Sequence, residues 1–474
     1  MPVAPSGRTT PAERTTEDAE VTDRLADAGL RLIRGVVQDR PRVETVPSCV
    51  SYSAHLSTDP AAASAAVDTV TGGAALGDHA AARRAAVGEA VERYCGNLVP
   101  DALPTASHTQ LVAAGRTAVD PREFALYSPT QYAQRGFPFV AMTSDLPIAW
   151  TTGRDLRDGE EVLVPASLAY VNYFRGARRG EPPTNYPVLA GTAAGPTPEH
   201  ARLAALREVL ERDAVTLWWL SGAPAAPLPP AADERLTLAL GEAAASGLRV
   251  TLLRIPSTFN ITVVGAFIED PARRLVAFGS ACRATPEAAA AKALTEAIGM
   301  HETSLDLLEG GSGFWTAVRA GRIDHRPYRR HRNDRAYLRD FRPDWRDVND
   351  VRLHVQVHLD PRMQDSRLHR LRAPRTEHRG YASHDAGRQA GLQEYLGLLA
   401  AQELRAIAVD LTHPQVRTAG LYVARVIVPG LSCNAPAAFP FLGGRRLHRE
   451  PVTRGWIPRP THESDLILAP LPFS

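Results

Sequence analysis

Lysine is almost absent from this 474-residue chain: of 54 basic residues only Lys292 is a lysine, and the rest are arginine. A GC-rich genome accounts for such a bias, because arginine replaces lysine at most solvated positions. The bias still has a chemical consequence. A Walker-type GKS or GKT loop is excluded, since Lys292 stands in "AAAKALTEA" with no glycine before it, and binding phosphate through a cationic side chain falls to arginine. Cysteine is scarce too: Cys49, Cys95, Cys282 and Cys433 lie far apart without a CxxC spacing, as expected in a reducing cytoplasm. No apolar run approaches the roughly 18 residues of a membrane span, and the opening "MPVAPSGRTTPAERTTEDAE" lacks the apolar core of a secretory signal. A net charge of only +2 supplies no global field for nucleic acid or a membrane surface.

What is present suits a globular protein. Hydrophobic residues make up 44% and charged residues 22%, enough for two or three ordinary domains or one large α/β domain with additions. Residues 1–20 lack apolar periodicity and read as a mobile tail. From "VTDRLADAGLRLIRGVV" onward apolar positions recur at helical spacing, which predicts a helical extension over 21–45. "DHAAARRAAVGEAVERYCGNLV", "TPEHARLAALREVLERDAVTLWWL" and "TPEAAAAKALTEAIGMHETSLDLL" read as helices, the last two opening on Thr-Pro-Glu, where proline suits the first turn. "GEEVLVPASLAYV", "LRVTLLRIP", "ITVVGAFIED", "RLHVQVHLD", "LRAIAVDLT" and "GLYVARVIVPGL" read as strands. Helices and strands interleave, so the fold class is α/β (α+β).

One pattern recurs. Glu89 and Glu92 stand three apart with Arg93 behind them, and Glu208 and Glu211 repeat the spacing with Arg212. Residues three apart share a helix face. Two exposed carboxylates cost a few tenths of a kcal/mol, but an inward pair costs several unless a cation or proton compensates. A divalent metal is one such cation, and hard carboxylate oxygens suit Mg²⁺ bridging to phosphates. The third helix adds Glu296. The competing reading, solvated helices with ordinary Glu–Arg pairs, carries comparable weight.

Other candidates are weaker. His354 and His358 alternate with Gln356 along "RLHVQVHLD"; with no third ligand signalled, a wet sheet face outweighs a zinc site. "EGGSGFW" reads as a turn before a phosphate cradle. In "RIDHRPYRRHRNDRAYLRDFRPDWRD", arginines alternate with Tyr328, Tyr337, Phe341 and Trp345, a mixture that suits single-stranded nucleic acid. Asp324, Asp334, Asp340, Asp344 and Asp347 interrupt it and repel phosphate, so a solvated connecting segment is expected and no nucleic-acid partner.

The succession "AVGEAVERY", "WTTGRDLRDGEEVLVPASLAYVNY", "AGTAAGPTPEHARLAALREVLERDA", "TPEAAAAKALTEA", "AIAVDLTHP", "VARVIVPGL" and a closing "APLPFS" resembles the YcaO proteins. The resemblance implies one large YcaO-like domain over 46–474, with mixed sheets flanked by the Glu-bearing helices. It implies an ATP- and Mg²⁺-dependent cyclodehydratase that activates backbone amides of a ribosomal precursor peptide, giving thiazolines or oxazolines in natural-product biosynthesis. It also admits thioamide or amidine formation, and a non-catalytic scaffold partner of an active paralogue. Glu89, Glu92, Glu208 and Glu211, with Glu296, are then the metal ligands. The closing Pro470, Pro472 and Ser474 match two prolines of the "PxPxP" tail that reaches the active site in azoline-forming members. The family's Gly-Lys-Gly segment is "TGGAALGDH" here, and Ala85, Ala190, Gly299 and His301 replace polar family residues. Arg84, Arg93, Arg212 and Arg283 are the candidates to replace the missing phosphate contacts. A separate leader-binding partner protein is expected, and a homodimer fits the family.

Overall fold

The computed structural model describes residues 32–57, 69–229, 233–321, 327–364, 368–375, 391–459 and 461–473. Its described strands form three antiparallel sheets. The first contains β1 (Ile33–Gln38), β2 (Cys49–Leu56) and β3 (Val70–Leu76) in that order. The second takes β4 (Thr105–Ala106), β5 (Ile148–Asp155), β6 (Glu161–Pro165), β7 (Thr192–Gly195), β12 (Ile407–Asp410) and β13 (Tyr422–Ile427), in the order β4-β5-β12-β13-β7 with β6 on β5. The third contains β8 (Ala226–Pro227), β9 (Arg249–Arg254), β10 (Thr262–Asp270) and β11 (Leu275–Arg283), in the order β11-β10-β9-β8. β10 and β11 are buried along almost their whole length, so they read as continuous apolar runs rather than alternating ones.

Three long helices cover these sheets: α1 (His79–Asn97), α2 (Pro198–Ser221) and α3 (Pro286–Leu308). Each starts on a residue whose side chain accepts a backbone N–H of the first turn: Asp78 from Ala81, Thr197 from His200 and Thr285 from Ala288. The two Thr-Pro-Glu openings thus form the same cap, with proline where no N–H is needed. α1 packs on β2 and β3, α2 on β7, β13 and β11, and α3 on β10 and β11. Under each helix a strand glycine lets the backbones touch. A Cβ on Gly73 would stand 2.1 Å from Ala86 N, on Gly195 2.8 Å from Ala201 N, and on Gly279 2.4 Å from Ala293 O. No side chain fits there, so the helices sit low on their strands.

Four expectations need correction. Residues 1–31 lie outside the described residues, but Ile33–Gln38 of the expected helical extension is a strand paired antiparallel with β2. "RLHVQVHLD" is not a strand: Arg352–Val357 is a short helix, α4, and His354 and His358 are buried. The arginine-rich segment is not merely a solvated connection, because Tyr337, Phe341 and Trp345 are buried in one apolar cluster with Trp315 and Leu359. Its described aspartates pair with its arginines, as in Arg332 with Asp334 and Asp340, and Arg342 with Asp344. "EGGSGFW" also opens a helix, Gly313–Arg319, capped by Ser312.

Among the described residues no helix is long and apolar enough to cross a membrane. The closing segment is buried from Pro470 to Phe473 and runs along the free edge of β11, where Phe278 N donates to Pro472 O at 2.9 Å.

Candidate active site

The three helices turn a polar stripe toward one cleft of about 1590 Å³. α2 contributes Ala204, Arg207, Glu208, Glu211 and Arg212; α3 contributes Lys292, Thr295, Glu296 and Gly299. Positions three and four apart lie on one helix face, so each stripe is a face that packing would otherwise make apolar. α1 brings Arg84, Glu89, Glu92, Arg93 and Asn97, and Arg283 comes from the end of β11. All five glutamates and all four arginines singled out in the sequence therefore line one cavity.

Each helix carries an acid and a base one turn apart. Glu89 pairs with Arg93 at 3.2 Å and Glu208 with Arg212 at 3.7 Å, while α3 reverses the order, with Lys292 against Glu296. The carboxylates also reach across to strands. Glu89 accepts from Gly72 N at 3.2 Å, Glu92 from Ala194 N at 2.7 Å and Glu208 from Gly191 N at 2.8 Å. Two helices thus grip the short segment Gly191–Ala194 by its backbone. Glu211 is more fully engaged, accepting from Ser280 Oγ at 2.7 Å and Cys282 N at 3.0 Å.

The electrostatics are uneven. Loss of water pushes the Glu92 carboxyl up to about 8, and neighbouring Glu208 and Glu89 add to the effect against the Ala194 N–H and Arg93. Burial also raises Glu211, opposed by Arg212 and the Ser280 hydroxyl. Burial opposes ionisation of Glu296 too, but Lys292 outweighs it and holds that carboxyl below its ordinary value. Burial works against the Arg212 charge, and Glu211 and Glu208 overcome it. Arg212 lies 3.8 Å from Glu211, beyond hydrogen-bond reach, and its buried Nε and Nη1 have no hydrogen-bond partner.

This donor set fits a magnesium–polyphosphate complex. Glu92 lacks a cation, Arg212 lacks an acceptor, and a phosphate carrying a hard divalent ion supplies both. Among the described residues no three His, Cys, Asp or Glu side chains gather as an ion cage, and Mg²⁺ commonly takes one or two carboxylates with the remainder from phosphate and water. The volume exceeds the roughly 300–1,000 Å³ of a usual ligand pocket, leaving room for a second substrate.

The tail is placed differently. Pro470 and Pro472 are buried but do not line the cleft, and Ser474 lies outside the described residues. The contact between tail and site is made by Phe473, whose ring centroid lies 4.4 Å from the Arg212 guanidinium carbon. His358 Nε2 binds Pro470 O at 2.8 Å and His354 Nδ1 binds Phe473 O at 3.2 Å, so the two histidines fasten the tail. Sequence reasoning also passed over one cation on the cleft face of each of α2 and α3. Lys292 was legible as the one lysine in the chain, a turn before Glu296; Arg207 stands directly before Glu208.

The YcaO family model, described as a cyclodehydratase binding ATP and Mg²⁺, matches residues 73–432. A Rhizobium leguminosarum bv. trifolii protein, described as uncharacterised and from the tfuA 3′ region, is 25% identical over 390 residues, covering 78% of this chain and 79% of that protein. The fold resembles a heterocyclase solved in complex with substrate and cofactor, with a TM-score of 0.69 at 19% identity, covering 100% of this chain and 59% of that one. This chain therefore spans less than two thirds of that heterocyclase. It also resembles YcaO from Methanopyrus kandleri bound with AMPPCP and Mg²⁺, with a TM-score of 0.56 at 19% identity, covering 88% and 91% of the two chains. With the family match extending over about three quarters of its length, the chain belongs to the YcaO family.

Proposed function

We propose that this protein is an ATP-dependent cyclodehydratase that converts backbone amides of a ribosomal precursor peptide into azolines. The observation that carries the reading is the meeting, on one cleft, of an under-compensated Glu92–Glu208 pair with the unsatisfied donors of Arg212. One or two of Glu89, Glu92 and Glu208 would hold Mg²⁺, with phosphate and water completing its shell, and Glu211 and Glu296 stand beside them already engaged by Ser280, Cys282 N and Lys292. Arg84, Arg93, Arg207, Arg212, Arg283 and Lys292 would bind the phosphates. Bound Mg²⁺ would neutralise polyphosphate charge and favour transfer of the terminal phosphoryl group.

The chemistry balances without an added oxidant or reductant. A Cys, Ser or Thr side chain of the peptide forms a bond to the neighbouring carbonyl carbon and loses its proton, and the carbonyl π pair moves onto oxygen. That oxygen takes the γ-phosphoryl group and ADP departs. The amide nitrogen then loses its proton, its electron pair closes the C=N bond, and the C–O bond breaks with release of phosphate. The cationic wall would stabilise the oxyanion and the transferring group. Pro470 and Pro472 would serve this chemistry from behind, through the contact of Phe473 with Arg212. A separate protein that recognises the leader, a homodimeric assembly and a cytoplasmic location complete the reading.

Mass spectrometry of the processed peptide tests it. Loss of one water per modified residue, with one ADP formed, supports the azoline reading. Exchange of oxygen for sulfur would instead identify a thioamide-forming enzyme, and Mg²⁺-ATP producing no heat in calorimetry would leave only a scaffold.

A further inference from the structure

Two arginines of α2 reach the cleft with aromatic rings behind them, and both rings come from the last quarter of the chain. The Arg212 guanidinium carbon lies 4.4 Å from the Phe473 ring centroid, and that of Arg207 lies 5.3 Å from the Tyr395 centroid. The Tyr395 hydroxyl also accepts from Arg207 Nε at 3.3 Å. Both arginines line the cleft and neither ring does; the rings are 6% and 2% exposed. An arginine laid on a ring keeps its N–H groups directed outward in the guanidinium plane, with less rotamer freedom left to lose on binding an anion.

The Phe473 ring is itself fixed. Trp219 Nε1 donates to Ala469 O at 2.8 Å, His358 to Pro470 O, Phe278 N to Pro472 O and His354 to Phe473 O. The tautomer of His354 follows from its partners. Ala437 N–H can only donate, so His354 Nε2 accepts it at 3.1 Å and Nδ1 carries the proton given to Phe473 O. On the Arg207 side, Tyr395 lies beside the buried Cys282, whose own N–H binds Glu211. The two rings therefore brace the same face of α2 from which the carboxylates project.

We propose that Phe473 and Tyr395 are positioning residues for the nucleotide: they hold Arg212 and Arg207 in the orientation that presents their N–H groups to the phosphates. The inference rests on the ATP reading above and concerns which side chains make that binding tight. It predicts that ring chemistry at a distance from the cleft controls nucleotide affinity while leaving peptide affinity alone.

The test measures KM for ATP, KM for the peptide and kcat in the full-length protein with Mg²⁺ present. Phe473→Leu and Tyr395→Leu should each raise KM for ATP about tenfold, with peptide KM unchanged. Phe473→Tyr should restore wild-type behaviour. Replacing Phe473 by pentafluorophenylalanine, introduced by nonsense suppression, keeps the shape and reverses the ring's charge distribution; KM for ATP should rise as it does in Phe473→Leu. Adding Phe473→Leu to Arg212→Gln should cost nothing more than Arg212→Gln alone. An unchanged KM for ATP in the fluorinated protein, or equal losses for ATP and peptide, would overturn the positioning role. A wild-type protein that binds no nucleotide would overturn the ATP reading itself, which is a separate result.

Discussion

Glu92 and Glu211 hold the same place in the echoed Glu-x-x-Glu-Arg of α1 and α2, yet their surroundings are opposite. Ser280 Oγ and Cys282 N satisfy both oxygens of Glu211, and Arg212 lies beside it. Glu92 receives one backbone N–H, from Ala194, and faces Glu208 and Glu89. The difference comes from the strands beneath. α2 crosses the end of β11, which offers a hydroxyl and a backbone donor, whereas β7 offers Glu92 one backbone N–H, that of Ala194. The helix pattern places a carboxylate; the neighbouring strand decides whether it is part of the scaffold or in need of a cation.

Stability should divide the pair most sharply. Glu211→Ala leaves Arg212 with Glu208 as its remaining ion-pair partner and strips Cys282 N and Ser280 of an acceptor, a loss of the kind that costs about 3–5 kcal/mol. Glu92→Gln keeps an oxygen for Ala194 N and removes the cost of protonating a buried carboxyl on folding, so the protein without nucleotide should become more stable. Chemical denaturation of the two variants measures this, and equal destabilisation would erase the contrast. Both variants should lose ATP turnover.

A second contrast concerns how the helix that carries Glu92 is seated. Gly73→Ala drives a Cβ to 2.1 Å from Ala86 N, and backbone on both sides must move; such overpacking costs about 1–3 kcal/mol. Gly88, inside α1, has nothing within 4 Å of its would-be Cβ, and Gly→Ala in a helix interior gains about 1 kcal/mol. Two identical substitutions fifteen residues apart should therefore shift the melting temperature in opposite directions. Gly73→Ala should also weaken nucleotide binding, because it lifts Glu89 and Glu92 away from Gly72 and Ala194.

The parts legible in the sequence were those decided locally. Caps and Thr-Pro-Glu openings mark α1, α2 and α3, and β-branched runs mark β9, β10, β12 and β13, because these signals act within a few residues; β11, "LVAFGSACR", has no such run and was not read. The histidines show where local reading fails. Residues four apart share a side in both a strand and a helix, so the spacing of His354 and His358 suited either. What decided it, contact with Pro470 O and Phe473 O, lies 112 and 119 residues away in sequence. "IRGVVQ" failed for a related reason: six residues are too few to separate periods, and its strand character depends on pairing with β2. Within the site, the glutamates announced themselves by repetition. Arg207 and Lys292 carry no repeated pattern, and only the folded helix face brings them into line.

The smallest effect is the most specific to Glu92. A carboxyl raised to about 8 in the folded protein binds a proton across a range where the unfolded chain, near 4.5, has already released it. Folding without a cation therefore takes up a proton in that window, and stability falls as pH rises from about 4.5 through about 8. A metal ligand must be deprotonated, so Mg²⁺-nucleotide binding near neutral pH should expel about one proton, and almost none well above pH 8. Calorimetry in buffers of different ionisation enthalpy reads this directly. The release should vanish in Glu92→Gln and persist in Glu211→Gln, since the latter keeps Glu92, the carboxyl that faces Glu208 and Glu89 with one N–H donor. Equal release from both variants would mean that the titrating group lies elsewhere on the cleft wall and that the two halves of the echo are electrostatically alike.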